Sequence, residues 1–163
     1  MSRPEDTRIR EFRESDLPLV QQVIHQTIDV CYSGVYAPRA VEFFKEFHSK
    51  TKIIERHWEG KILVVERDGN VIATGAIVRN EILGVFVHPE FQHRGYGRSL
   101  MRELENRARS TGCREAVLSV SLPSRGFYQG LGYDLLEECS IDVGEGEHLD
   151  FWKARKPLTE ETP

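Results

Sequence analysis

From Val85 to Arg98 the sequence reads Val-Phe-Val-His-Pro-Glu-Phe-Gln-His-Arg-Gly-Tyr-Gly-Arg, which sets Gly95 and Gly97 among His93, Arg94 and Arg98. Between an apolar strand and the start of a helix, these residue types suit an anion. Glycine lets the backbone approach a phosphate with no Cβ in the way, and a helix N-terminus offers unpaired N–H groups with a partial positive charge. Arginine pairs with phosphate oxygens. A glycine pair on its own serves equally well as a tight turn. Two familiar nucleotide loops are excluded. A dinucleotide fingerprint needs Gly or Ala where Leu100 stands, and a P-loop needs Gly-Lys followed by Ser or Thr, which the chain lacks.

A second constellation, Phe127-Tyr128-Gln129-Gly130-Leu131-Gly132-Tyr133, follows downstream. The spacing Gln92-x-x-Gly95-x-Gly97 after the strand end Val87-His88-Pro89, taken with that heptapeptide, resembles the GNAT superfamily of acetyl-CoA-dependent N-acetyltransferases. Its signature pairs a Gln/Arg-x-x-Gly-x-Gly/Ala pyrophosphate loop with a Phe-Tyr-x-x-Leu-Gly-Phe/Tyr segment. The two motifs span Glu81 to Tyr133, and the order of elements extends the likeness from about Arg8 to Leu158.

The resemblance implies an N-acetyltransferase that moves an acetyl group from acetyl-CoA to a primary amine by direct transfer in a ternary complex, with no metal. It implies an α/β fold whose mixed, mostly antiparallel sheet has a central parallel, splayed strand pair and flanking helices. Val85, Phe86 and Val87 would bind pantetheine through backbone groups left unpaired by the splay. Gln92 and the amides of His93, Arg94, Gly95, Tyr96, Gly97 and Arg98 would hold the pyrophosphate. Tyr128 matches the family's general acid and Glu81 the position of a general base in some members. Seven residues before the tyrosine many relatives carry Asn; Ser121 stands here, with a shorter reach toward pantetheine or a role in capping the next helix.

The chemistry makes three demands. An amine with a pKa of about 10.4 must lose a proton before it attacks, an oxyanion must be stabilised, and the departing thiolate must be protonated. A phenol with a pKa of about 10 stays protonated at neutral pH and suits the last task. A main-chain amide near Val87 suits the second. For the acceptor, Tyr32, Tyr36 and Phe44 offer an aromatic wall, and the turn Gly144-Glu145-Gly146-Glu147 beside His148 offers carboxylates. A small cationic amine, or a peptide or protein amine, is the acceptor that these residues suggest. A non-catalytic acyl-CoA sensor is the alternative, and an acyl group larger than acetyl stays open.

A scaffold must position these groups. Arg8 to Phe12 reads as a first strand, and Ser15 as the cap of a helix with Val20, Val23, Ile24, Thr27, Ile28 and Cys31 on one face. A second helix starts at Pro38 and aligns Ala40, Phe43, Phe44 and Phe47. Lys61 to Glu66 and Val71 to Val78 form a hairpin around Asp68-Gly69-Asn70, and Glu81 to Val87 adds a third strand ended by His88-Pro89. Tyr96 to Ser110 is a helix closed by Gly112, and Ala116 to Val120 a buried strand. Leu122 to Leu131 is a short helix, made irregular by Pro123 and Gly126. Tyr133 to Glu138 and His148 to Arg155 are the last strands. The crossover from the third strand through a helix to the next makes those two strands parallel neighbours.

Composition narrows the rest. The 163 residues carry 22 Lys and Arg against 26 Asp and Glu, a net charge of −4, which argues against general binding to nucleic acid or an anionic membrane. No apolar run approaches the roughly 20 residues that cross a bilayer, and the first residues carry no apolar leader core. Cys31, Cys113 and Cys139 make neither a disulfide framework nor a CxxC pair, and no histidine spacing suggests zinc. The expectation is one cytoplasmic domain over residues 1–163, with its core at about 7–158, and a possible homodimer.

Overall fold

In the computed structural model, which describes residues 6–158, a seven-stranded sheet runs through the middle of the molecule in the order β1-β2-β3-β4-β5-β7-β6. The strands are β1 (Thr7–Glu11), β2 (Lys61–Arg67), β3 (Asn70–Val78), β4 (Glu81–Val87), β5 (Glu115–Ser121), β6 (Asp134–Gly144) and β7 (Glu147–Pro157). Only β4 and β5 are parallel. The helices are α1 (Leu17–Tyr32), α2 (Pro38–Phe47), α3 (Lys50–Glu59), α4 (Tyr96–Ser110) and α5 (Arg125–Gly130).

Period-two alternation divides the core between the two faces of the sheet. Leu63 and Val65 of β2 point to the face covered by Leu100, Met101, Leu104 and Ala108 of α4. Ile62 and Val64 point to the other face, with Val20, Ile24 and Ile28 of α1 and Ile53 of α3. The helical stripes expected in α1 and α4 are these buried faces.

Three local readings change. Ser15 caps no helix: it lies inside a 3-10 turn, Glu14–Asp16. There Asp16 Oδ2 accepts from Arg13 N at 2.7 Å, and the Asp16 carboxylate takes both Arg10 guanidinium nitrogens at 2.8 and 2.9 Å. A third helix, α3, stands where none was expected. Its sequence Lys-Thr-Lys-Ile-Ile-Glu-Arg-His-Trp-Glu has too few apolar residues for a clear stripe, and it buries only Ile53 and Arg56. Ser49 starts it by accepting from Lys52 N at 3.3 Å. The last two strands are longer than expected, because β7 pairs with β5 on one side and β6 on the other. The segment after β5 is irregular as Pro123 and Gly126 suggest, a 3-10 turn Leu122–Ser124 followed by the six-residue α5.

Candidate active site

The sheet opens at β4. Glu81 stands in parallel register with Val117, and Val117 N donates to Asn80 O at 3.0 Å. Beyond that point, no ladder pair joins β4 to β5 among the described residues. Gly84 and Val85 together oppose Gly75 of β3, so β4 carries a bulge, and Gly84 takes a φ of 63°. Past the bulge, His88 N donates to Ile72 O at 2.8 Å, with Val87 opposite Ala73. In an antiparallel ladder the bonded groups alternate, so Val87 turns its N–H and C=O away from β3 and into the gap. Its carbonyl accepts from Gln92 Nε2 at 2.9 Å and Thr27 Oγ1 at 3.3 Å.

Two cavities meet at this gap. The larger, about 560 Å³, is lined by Val85, Phe86, Val87, Gln92, His93, Gly95, Gly97, Arg98 and Tyr128. Gly95 is the residue before α4 and has a φ of 89°, with open space where a Cβ would project. No side chain caps α4, so its first N–H groups remain available beside Arg98. At Gly97 a Cβ would stand 3.1 Å from the Phe127 ring. An uncapped helix start on a glycine cradle fits a pyrophosphate, and a strand edge with unpaired backbone groups fits the amides of a pantetheine arm.

The side chains of Arg94 and Ser121 lie elsewhere, as does that of Tyr96, for which the amide alone was expected. Arg94 places its guanidinium over the Phe91 ring at 5.4 Å, and Tyr96 packs edge-on to Phe91, so neither side chain lines this cavity. Ser121 lines the second cavity instead. Thr27 and Cys31 of α1, with Phe91, Pro123, Ser124 and Phe127, complete the larger wall. Their helical spacing turns Thr27 and Cys31 inward, but only the packing of α1 across β4 shows what they face.

The second cavity, about 260 Å³, is aromatic. Tyr32, Phe43, Phe44, Phe47, Phe86 and Phe151 line it, and Ile141 and Leu149 close it from β6 and β7. Glu81 is the one carboxylate in its lining. Tyr36 lines neither cavity. Its hydroxyl donates to Asp150 O at 2.9 Å and accepts from Leu122 N at 2.8 Å, and burial pushes its pKa up to about 12. Glu145, Glu147 and His148 line neither cavity, because the long β6 and β7 carry their turn beyond Ile141 and Leu149.

His48 was not singled out in the sequence. It is only 5% exposed, and its ring stands edge-on to Phe47 and Phe86, 5.1 Å from each. Arg56 Nη1 donates to its Nδ1 at 2.9 Å, while Arg56 Nη2 donates to Phe47 O at 2.7 Å. Burial, helped by the charge of Arg56 and by His25, holds His48 well below the usual imidazole range. Burial also brings Arg56 down to about 10, against the pull of Glu81 and Glu55.

Tyr32, Val85, Phe86, Ser124 and Tyr128 line both cavities and form the passage between them. Tyr128 is 7% exposed, and burial, with Tyr32 nearby, pushes its phenol up, so it keeps its proton across the physiological range. The Tyr32 hydroxyl meets Ser121 Oγ at 2.9 Å, which meets Ser124 Oγ at 2.8 Å. Tyr133, from the same sequence motif as Tyr128, is a structural tie: its hydroxyl donates to Glu105 Oε2 at 2.8 Å. Among the described residues, no group of three or more His, Cys, Asp or Glu could hold a metal ion, and no helix is long and apolar enough to cross a membrane.

Comparison with known proteins agrees with this architecture. The family model for the acetyltransferase (GNAT) family matches residues 22–133. Among solved structures, a GCN5-related N-acetyltransferase from Rhodopseudomonas palustris superposes with a TM-score of 0.85 at 19% identity, covering 93% of this chain and 95% of that one. The PaiA N-acetyltransferase of Thermoplasma acidophilum, in complex with coenzyme A, gives 0.75 at 23% identity, covering 93% and 99%. YncA of Salmonella typhimurium, a putative acetyltransferase with its cofactor acetyl-CoA, gives 0.67 at 17% identity, covering 97% of each chain. At these identities the likeness is one of fold. No curated protein matches the sequence.

Proposed function

Because the chain belongs to the acetyltransferase (GNAT) family, we propose that it transfers an acetyl group from acetyl-CoA directly to a primary amine while both substrates are bound. The observation that carries this reading is the meeting of two separate cavities at Tyr128, one shaped for the coenzyme and one for an amine. Simultaneous binding on either side of one gap makes a ternary complex the natural course. A bound acetyl-CoA supplies the activated thioester.

The residues divide the work as follows. The amides from His93 to Arg98 hold the pyrophosphate, and the gap-facing backbone of β4 holds the pantetheine arm. The Val87 N–H, aimed into the gap, stabilises negative charge on the thioester oxygen as the amine nitrogen bonds to the acetyl carbon. Tyr128 gives its proton to the sulfur as the carbon–sulfur bond breaks. Glu81 lines the acceptor cavity but stands four residues before Val85, up to about 13 Å along an extended strand, so it takes the amine proton through water. Tyr32, held by Ser121 and Ser124, orients the acceptor at the passage.

The test is thiol release from acetyl-CoA with a panel of primary amines. Amine-dependent release is expected. Coenzyme binding with no release from any amine would favour a sensor and overturn the enzyme reading.

A further inference from the structure

The acceptor cavity contains a polar group that the transfer chemistry leaves unused. Arginine has no hydrogen-bond acceptor, so in the 2.9 Å contact between Arg56 Nη1 and His48 Nδ1 the guanidinium donates and the imidazole accepts. The imidazole proton therefore sits on Nε2. No partner for that atom stands among the described residues, and its side chain, 95% buried, lines the cavity. Behind it, Arg56 is bonded to His48 Nδ1 and Phe47 O, with Glu81 and Glu55 close enough to act on its charge. Beside the Glu81 carboxylate and the serine and tyrosine hydroxyls of its lining, the cavity thus presents an N–H donor backed by a buried positive charge, within walls that are otherwise apolar.

This pairing calls for an anionic oxygen. A hydrogen bond to an ionised acceptor is roughly twice as strong as a neutral one, and low-dielectric surroundings strengthen it further. Position then selects the kind of anion. A Cβ built on Gly84 would lie 3.8 Å from His48 Nδ1, and the next residue, Val85, lines both cavities. His48 therefore stands beside Gly84 on the wall that leads through Val85 to the passage where the amine must react. An acceptor with its carboxylate on the amine-bearing carbon has both groups within the reach of that wall. The cavity volume of about 260 Å³ is below the roughly 300–1,000 Å³ typical of sites for drug-sized ligands, so the remainder of the acceptor is small. Phe43, Phe44 and Phe47 require that it be apolar.

Resting on the acetyl-transfer reading above, we propose that the acceptor is a free α-amino acid with an aromatic or branched apolar side chain, its carboxylate received by His48 Nε2–H with Arg56 behind it. This replaces the cationic acceptor suggested by the sequence, whose carboxylates at Glu145 and Glu147 lie away from the cavity.

The test uses two matched pairs, L-phenylalanine with 2-phenylethylamine and L-leucine with isoamylamine, on the wild type, His48→Leu and His48→Gln. In thiol-release assays at least one amino acid is expected to exceed its decarboxylated partner at least about 10-fold in kcat/KM. His48→Leu should bring that ratio within about 3-fold, while His48→Gln, whose amide N–H reaches a similar place, should keep most of it. In parallel, the melting temperature of the protein saturated with coenzyme A is measured with each probe, which needs no turnover. The favoured amino acid should raise it in the wild type and not in His48→Leu. A His48-dependent thermal shift without thiol release from any amine would overturn the transfer reading and leave carboxylate recognition standing. Equal responses to both members of each pair, or a preference unchanged in His48→Leu, would overturn the carboxylate assignment. If His48→Leu does not fold, Arg56→Gln, which removes the charge behind the imidazole, must lower the same ratio or the proposal fails.

Discussion

The two cavities on either side of Tyr128 are made from different materials. The larger, proposed for the coenzyme, is built mostly on β4 and the loop from Gln92 into α4, a nearly continuous stretch with two glycines and an uncapped helix start. The smaller, proposed for the acceptor, uses side chains from α1, α2, β4, β5, β6 and β7, brought together from across the chain. A site built from backbone needs only spacing and small residues, and tolerates change in most side chains around it. A site built from side-chain surfaces depends on how distant elements pack. The difference teaches that cosubstrate and acceptor affinity should be separable by mutation, with Tyr128 as the point where they cannot be.

The largest expected effect falls at that point. Tyr128→Phe keeps the ring and removes the proton, so kcat should fall about 100-fold or more, with both KM values little changed in steady-state assays. A kcat within 2-fold of wild type would break the acid assignment. On the coenzyme side, Gly97→Val adds atoms where a Cβ alone would stand 3.1 Å from Phe127 and 3.4 Å from Val87 Cγ2. The acetyl-CoA KM should rise about 10-fold while the acceptor KM stays near wild type. The converse change is Phe44→Ala, which removes a ring lying 4.8 Å from Tyr32 and 5.1 Å from Tyr36. It should raise the acceptor KM about 10-fold, leave that for acetyl-CoA alone, and cost about 3 kcal/mol in denaturant unfolding. If either variant moved both KM values together, the separation would fail.

The smallest effect is on pH dependence. His48 has its folded pKa lowered by burial, Arg56 and His25, so below about pH 6.5 the unfolded chain binds a proton that the folded one refuses. Its contribution to stability is present above that pH and lost as the pH falls. Stability should fall between pH 7 and 5.5 in denaturant titrations, and His48→Gln should lack that fall. Tyr128, pushed upward, should cause no alkaline loss of kcat below about pH 10.

Much of the larger cavity's lining was readable in residue order. The lining from Val85 to Val87 and at Gln92, His93, Gly95, Gly97 and Arg98 follows from a strand, a glycine pair and a helix start in succession. The side chains of Arg94 and Tyr96 turn to Phe91, a direction that residue order does not reveal, while the expectation for these two positions concerns their amides. Helix α3 went unseen because its buried partner is a guanidinium, which reads as a surface residue in any apolar pattern. That same guanidinium sets the proton on His48, so the missed helix and the missed cavity donor are one omission.

The sequence by itself determined the alternation that splits the core between two sheet faces, the crossover that makes β4 and β5 parallel, and the helix start at Gly95 and Gly97. These are local properties, set by side-chain period, chain handedness and the missing Cβ of glycine. The tertiary structure alone decided that the parting of β4 from β5 begins just past Glu81, that Tyr36 is held as a strut while Tyr32 lines the passage, and that His48, bonded at Nδ1 by Arg56, lines an aromatic cavity. Each of these depends on contacts between residues far apart in the chain, where burial and a single neighbour's charge or hydrogen bond choose the outcome.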